Sequence, residues 1–256
     1  MLFLKSVFLA FCLCYFGFIS SHAQSISQLQ NRADSLYTNF LEQEAFEAYQ
    51  KVLEKDSANF EALWRTSFLY SRIGHRKEEE EVQEEYYQKA KLLAERALAI
   101  DSTHSQANFV MGVAMGRMAL ISGTKERVAA SRAIKKYASR AIRYDSTNAG
   151  AWHLLGRWNF RVANLSFVER LAANTLFGGI SGDASTEKAV EYIQKAIALD
   201  NRFILYYHDL AEAYAEMGRK DNATNACKKA LEKESLNAKD DDLKADCRNW
   251  IKKWKE

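Results

Sequence analysis

The chain has 256 residues, of which 48% are hydrophobic, and its 36 basic side chains nearly balance 33 acidic ones. A disordered chain would be poorer in apolar residues, and this charge balance gives no electrostatic case for binding nucleic acid. Proline is absent and Gly numbers only 11, which disfavours loop-rich sandwiches and barrels and favours long helices joined by short polar turns.

Residues 1–23 have the pattern of an export signal. A single charge, Lys5, precedes the apolar run 7–19, and Ser21-His22-Ala23 supplies small residues next to a cleavage site. The pattern predicts a Sec signal peptide, a mature domain over 24–256, and a periplasmic or secreted location. The apolar run is short for a membrane span. An uncleaved membrane anchor remains the alternative, and only in that case do we expect contact with a membrane.

A helical repeat organises the rest of the chain. Five segments end in an acid and carry small or apolar residues at their first, fifth and eighth places, which form one stripe of a helix. These segments are Ala45–Asp56, Ala90–Asp101, Ile134–Asp145, Ala189–Asp200 and Ala223–Glu234. Residues 204–237 match the tetratricopeptide helix–turn–helix both in length and in the placing of small residues.

Three of the repeat units carry insertions, in His75–Glu85, Ile121–Glu126 and Arg161–Glu187. After the last unit, apolar residues recur at helical spacing from Leu243 to Trp254, with acids before them and lysines near the end. The predicted fold is therefore all-α: a tetratricopeptide-like α-solenoid of about five helix pairs, with insertions and a C-terminal capping helix.

Two cysteines, Cys227 and Cys247, remain in the predicted mature chain. They fall on the inward stripes of the last paired helix and of the capping helix, so we expect them to be neighbours. In an oxidising compartment they would be able to form a disulfide. The other interpretation is that both are small buried apolar residues.

The candidate binding surface is the concave groove, which the first helix of each unit lines in this architecture. Helical spacing predicts that an aromatic stripe borders a polar trio there. The aromatic residues are Trp64, Phe68, Phe109 and Phe160, and the polar residues are His153, Arg157 and His208. Aromatic side chains and arginine are common anchors of protein interfaces, and arginine is suited to clamping a carboxylate. We therefore expect a peptide groove with an apolar end and an anion-binding end.

A competing interpretation makes the same residues part of the core. The third insertion contains Phe167, Val168 and Leu171. If it folded into the groove, it would bury the aromatic stripe and allow Arg157 to pair internally with Glu169. The alternative of an open groove stays available at this point.

The sequence contains no motif for catalysis or cofactor binding. It has no phosphate-binding glycine loop, no HExxH and no GxSxG. The histidines beyond residue 23 lack the spacing of metal ligands. We therefore predict a non-enzymatic scaffold for a protein or peptide partner, without cofactor or metal. A small-ligand carrier or an enzyme that uses His153, Arg157 and His208 is the alternative.

One stretch is more specific than a generic repeat. His153-Leu154-Leu155-Gly156-Arg157-Trp158, which continues through Val162–Ser166 and Glu169-Arg170 to Leu176-Phe177-Gly178, resembles the regulator of microtubule dynamics family, as does Ser122–Glu126. The resemblance implies an all-helical repeat protein. Because some eukaryotic members are associated with microtubules, mitochondria or membrane contact sites, it also implies an alternative function as a microtubule- or mitochondria-associated adaptor. A working secretory signal would put tubulin out of reach.

Overall fold

The computed structural model describes residues 25–176, 179, 183–237 and 239–255, and within them the chain forms twelve α-helices and no strand. The first six helices are α1 (Ile26–Thr38), α2 (Glu42–Lys55), α3 (Phe60–Gly74), α4 (Glu80–Ile100), α5 (Ser105–Ile121) and α6 (Thr124–Tyr144). The other six are α7 (Ala149–Ala163), α8 (Phe167–Leu176), α9 (Thr186–Leu199), α10 (Ile204–Glu216), α11 (Lys220–Leu231) and α12 (Asp240–Lys255). The predicted signal peptide lies outside the described residues.

The helices pack as five antiparallel pairs: α1 with α2, α3 with α4, α5 with α6, α7 with α9, and α10 with α11. Helix α12 packs against α10 and α11 at the end of the array. In the sequence, α8 lies between α7 and α9, the two helices of the fourth pair. The predicted tetratricopeptide-like solenoid with a C-terminal capping helix is therefore confirmed.

The recurring acid has a structural role in the turn between pairs. Helices α2, α4, α6 and α9 each end one residue before it. The carboxylate then accepts a hydrogen bond from the backbone N–H two residues further on, at 2.8 Å from Thr103 to Asp101 and at 2.8 Å from Thr147 to Asp145. This Asx turn reverses the chain without a proline or glycine, which explains how the array forms with no proline.

The insertions take two forms. Helices α4 and α6 each have 21 residues, whereas α2 and α9 have 14. The first two insertions therefore lengthen the second helix of their pairs by about two turns at its N-terminal end. The third insertion contains the separate helix α8.

The small-residue stripe allows neighbouring helices to approach closely. Ala189, Ile193 and Ala196 of α9 are fully buried. Gly156 of α7 lies so close to them that a β-carbon there would be 2.7 Å from Cγ1 of Ile193. Backbone of α7 therefore contacts side chains of α9 directly, and the two helices nest with no space for a larger residue.

An arginine joins the first three helices. The guanidinium of Arg65 pairs with Asp34, lies 3.1 Å from the carboxylate of Glu61, and sits 5.3 Å from the ring centre of Tyr37. The hydroxyl of Tyr49 donates to the same Asp34 at 2.5 Å. Burial raises the pKa of Tyr37 to about 12, so this phenol stays neutral at physiological pH.

The array curls far enough for its first turn to meet a later one. Phe40 follows α1 with a positive φ of 59°. Its ring lies 6.0 Å from the ring of Phe203 in the turn before α10, and the guanidinium of Arg202 lies 5.5 Å from it. The concave face is thus bridged on one side by the chain itself.

Candidate functional site

The seven predicted groove residues all lie on first helices of the pairs (α3, α5, α7 and α10), but they differ in accessibility. Trp64 and Phe160 are buried, and Phe68 and Phe109 are half-buried with their rings 5.5 Å apart. The side chains of His153 and His208 are each only 13% exposed. The pair formed by Phe68 and Phe109 is therefore the more accessible part of the predicted aromatic stripe.

The two buried aromatics are covered by the protein's own side chains. The ring of Trp64 meets the ring of Tyr37 edge-on at 6.2 Å, and its indole N–H donates to Glu61 at 3.2 Å. The guanidinium of Arg157 lies 5.1 Å from the ring centre of Phe160. These contacts make Trp64 and Phe160 packing residues of the concave face.

Asp209 of α10 connects the predicted polar trio. Its Oδ2 accepts a hydrogen bond of 2.7 Å from Nε2 of His153 and lies 3.3 Å from Nε of Arg157. Its Oδ1 accepts from Nδ1 of His208 at 3.3 Å. Arg157 also donates through Nη1 to Glu212 at 2.5 Å. One buried carboxylate thus holds three basic side chains, which joins α7 to α10.

In this cluster, the paired charges shift the pKa values more strongly than burial does. Burial by itself would raise the pKa of Asp209, but Arg157, His153 and His208 hold it well below its usual range. Burial would lower the pKa of His208, yet its hydrogen bond to Asp209 and the charge of that carboxylate raise it. Arg157 is likewise desolvated, and Asp209 and Glu212 raise its pKa. The expected anion-binding arginine is therefore already paired internally.

Raising the pH is expected to remove stability that protonated His208 supplies. Because the folded state raises the pKa of His208, this contribution is complete below the unfolded value of about 6.5 and is lost as the pH rises through the folded value. Urea unfolding of the protein and of His208→Gln from pH 5.5 to 9 measures it. We expect the difference in stability between the two proteins to shrink at high pH, and a constant difference would contradict the prediction.

The part of the third insertion that the structure describes does not fill the groove. Phe167 and Val168 of α8 are 78% and 74% exposed, and α8 packs lightly against α6. Glu169 does not pair with Arg157: it accepts hydrogen bonds from the backbone N–H and the hydroxyl of Ser166, at 2.9 and 2.7 Å, and so caps α8. For the described residues of α8, the interpretation that the insertion buries the groove is wrong. Glu169 instead accepts hydrogen bonds from Ser166 at the start of α8. The acids that pair with Arg157 are Asp209 and Glu212 of α10.

Two other segments cover the concave face instead. The contact between Phe40 and Phe203 bridges one side. At the C-terminal end, the ring of Trp250 in α12 lies 4.6 Å from the ring of His208, and Asp246 lies 3.5 Å from Nε2 of the same histidine. Residues near both ends of the array therefore limit access to the groove.

Three charged residues of this face were not predicted from the sequence. Asp209 was hidden because acids are common on helical surfaces, and nothing in the repeat pattern marks it as buried. Arg72 and Arg117 occupy the same place in α3 and α5, just beyond the groove positions considered on those helices. The recurrence of arginine there in three successive units, with Arg161 in α7, is a signal that could have found them.

Cys227 and Cys247 are both buried, free thiols. A hydrogen bond between them, together with burial, raises the pKa of Cys227, so the two side chains are neighbours as expected. The disulfide stays a prediction. Across the described ranges, no group of three or more His, Cys, Asp or Glu side chains is arranged to hold a metal ion. Nor does any helix in those ranges combine the length and apolarity that crossing a membrane requires.

Residues 29–255 match the family described as Regulator of microtubule dynamics protein 1-3. The chain belongs to the regulator of microtubule dynamics family. Within this family, Regulator of microtubule dynamics protein 3 of Rattus norvegicus is 27% identical over 211 residues, which are 80% of this chain and 44% of that protein. Regulator of microtubule dynamics protein 1 of Mus musculus is 28% identical over 211 residues, which are 78% of this chain and 68% of that protein.

The chain spans about half the length of the first few curated members of the family that it matches. Among solved structures, TTC0263, a thermophilic TPR protein in Thermus thermophilus, superposes with a TM-score of 0.64 at 18% identity, over 89% of this chain and 99% of that one. At this identity the likeness shows the fold alone. It agrees with a tetratricopeptide-like architecture for this member of the regulator of microtubule dynamics family.

Proposed function

We propose that the protein is a non-enzymatic binding scaffold whose concave face receives a protein or peptide partner. The observation that carries the proposal is the half-buried pair Phe68 and Phe109 on two successive first helices of the array. Aromatic side chains that remain partly accessible in a rigid concave surface are suited to anchoring an extended peptide. The rest of the aromatic stripe contributes packing rather than contact area.

Selection from a library of random peptides tests this function. The wild-type chain is expected to retain peptides that Phe68→Ala binds at least tenfold more weakly, because the variant removes one ring of the accessible pair. Tyr144→Ala is the matched control, since Tyr144 is 41% exposed on the second helix of a pair. Circular dichroism must show both variants folded. Failure to retain any peptide, or equal loss in both variants, would argue against a peptide scaffold.

The family supports a second candidate, an adaptor associated with microtubules or mitochondria, because the matching proteins are named as regulators of microtubule dynamics. We also propose that the chain is exported, on the evidence of Lys5 and the apolar run 7–19 alone. Mass spectrometry of the purified protein's N-terminus separates the two. A start at Gln24 supports export to a periplasmic or secreted location, whereas an intact N-terminus favours the anchored adaptor.

The remaining candidate is a small-ligand carrier or an enzyme that uses His153, Arg157 and His208. The internal pairing of all three with Asp209 weighs against it. Groups that satisfy one another in a buried cluster are less available to a substrate than unpaired ones.

A further inference from the structure

Arg117 of α5 lies on the concave face in a different setting from Arg157. It follows Gly116 and falls two turns beyond Phe109 on the same stripe of the helix. Arg72 holds the equivalent place in α3 and is also half-buried, whereas Arg161 holds it in α7 and is exposed. An arginine thus occupies the same position in α3, α5 and α7, and the three arginines differ in how deeply they are buried.

The arginines of this region differ in whether they have a carboxylate partner. One carboxylate, Glu42, serves two arginines, with its oxygens 2.7 Å from Nε of Arg72 and 2.7 Å from Nη1 of Arg76. Asp209 and Glu212 serve Arg157. Within the described part of the chain, Arg117 forms neither a hydrogen bond nor an ion pair. Arg72, Arg76 and Arg157 therefore each have a carboxylate partner, whereas Arg117 has none among the described residues.

The surroundings of Arg117 disfavour its charged form. Desolvation, reinforced by the neighbouring charges of Arg72 and Arg76, lowers the pKa of Arg117 to about 10, although Tyr87 and Asp209 oppose the shift. Partial desolvation together with the charges of Arg117, Lys239 and Arg76 lowers the pKa of His75 to about 4. A desolvated cation without a partner destabilises a fold unless something else stabilises it.

We propose that Arg117 is the anion-binding residue of the concave face and that it receives a carboxylate of an acidic peptide. This inference rests on the proposed peptide-binding function and moves its anion end from Arg157 to Arg117. One uncompensated cation matches one carboxylate, whose two oxygens fit the fork of a guanidinium. Phe109 on the same helix and Phe68 on its neighbour would contact an apolar side chain of the same peptide.

The lining favours a peptide over a lipid. Beside the accessible aromatics, the face carries the half-buried guanidinium of Arg117 and the carboxylate of Glu212, whose side chain is 38% exposed. An acyl chain would cover these charged groups without offering hydrogen bonds, whereas a peptide supplies donors and acceptors of its own. We therefore commit to a peptide carboxylate and treat a lipid phosphate as an outcome of the test.

Titration with 3-phenylpropionate, which combines an aromatic ring with one carboxylate, tests the site directly. We expect saturable binding to the full chain, followed by isothermal calorimetry or by the NMR signal of the Arg117 side chain, and no binding of the uncharged 3-phenylpropionamide. Arg117→Gln is expected to weaken binding tenfold or more through loss of a charge-assisted hydrogen bond. The matched variant Arg161→Gln, at the same register position, should leave it unchanged. Binding that survives Arg117→Gln, or that Arg161→Gln weakens equally, overturns the proposal.

Two phosphate-containing probes test whether the site prefers a phosphate group to a carboxylate. Inorganic phosphate and phosphatidylglycerol vesicles are titrated against the same three proteins. If either binds through Arg117 more tightly than the carboxylate probe, the site is one for phosphate groups and the proposal is overturned. Arg117→Gln is expected to melt at the same temperature as the wild type or slightly above it, since it removes an unpaired charge, so that lost binding will not reflect unfolding.

The peptide library separates this inference from the function on which it rests. Peptides retained by the wild type should be enriched in aspartate and glutamate over the input, and the enrichment should disappear with Arg117→Gln. Retained peptides without such enrichment would leave the scaffold function standing and overturn the carboxylate site. A library that yields no binder would overturn the proposed function and, with it, the peptide as occupant.

Discussion

Replacing Asp209 with alanine is expected to lower the free energy of unfolding by about 3–5 kcal/mol, as for a buried ion pair broken from one side. The substitution leaves Arg157, His153 and His208 close together without their shared carboxylate. Arg157 would keep only Glu212 at 2.5 Å. Because these contacts join α7 to α10, the fourth and fifth helix pairs should lose their mutual orientation first.

Urea unfolding followed by circular dichroism measures the effect of Asp209→Ala. Glu216→Ala is the control, because Glu216 is exposed at the end of the same helix and should change stability by no more than about 0.5 kcal/mol. The double variant Asp209→Ala with Arg157→Ala should be less destabilised than the sum of the single variants, since it removes both charges of one pair. A loss near 1 kcal/mol for Asp209→Ala, or strict additivity, would show that the cluster does not act as a unit.

Gly156→Ala is expected to destabilise the protein by about 1–3 kcal/mol through overpacking. The added β-carbon would lie 2.7 Å from Cγ1 of Ile193 and 3.2 Å from the backbone oxygen of Ala189. A backbone atom of a packed helix has little freedom to move, so α7 and α9 would have to separate. Thermal and urea melts of the variant measure the cost.

A second glycine gives the matched control for Gly156→Ala. In α5, a β-carbon at Gly116 would meet nothing closer than Cδ1 of Ile134 at 3.8 Å. Gly116→Ala should therefore stabilise the protein by about 0.5–1 kcal/mol, because alanine loses less backbone entropy than glycine in a helix. Opposite signs for the two substitutions are the expected result. Two stabilising substitutions would mean that α7 and α9 are not closely nested.

The curl of the array explains why the chain's own side chains cover part of the groove that the repeat pattern predicts. Pattern reasoning assumes a long superhelix whose first helices all face an open channel. With five pairs, the first turn reaches the turn before α10, where the ring of Phe40 lies 6.0 Å from the ring of Phe203. The chain's own aromatic and charged side chains therefore occupy part of the surface that a longer array would leave to a partner.

The positions of the helices follow from local features of the sequence. Stripes of small residues, such as Ala189, Ile193 and Ala196, and the acids that follow α2, α4, α6 and α9 determine where these helices form, pair and turn. Helical periodicity and Asx turns act between residues near one another in the chain. The capping helix follows in the same way from the apolar spacing between Leu243 and Trp254. These elements were predicted correctly.

Only the tertiary structure decided which groove residues are paired, covered or accessible. Asp209 is distant in sequence from His153 and Arg157, and Phe40 is distant from Phe203, so no local pattern marks their contacts. Whether a basic side chain meets an acidic partner depends on the curvature of the whole array. This curvature is the sum of small rotations between successive helix pairs. That curvature assigned Arg157 to an internal cluster and left Arg117 unpaired, whereas the sequence alone determined that both lie on first helices of a helical repeat.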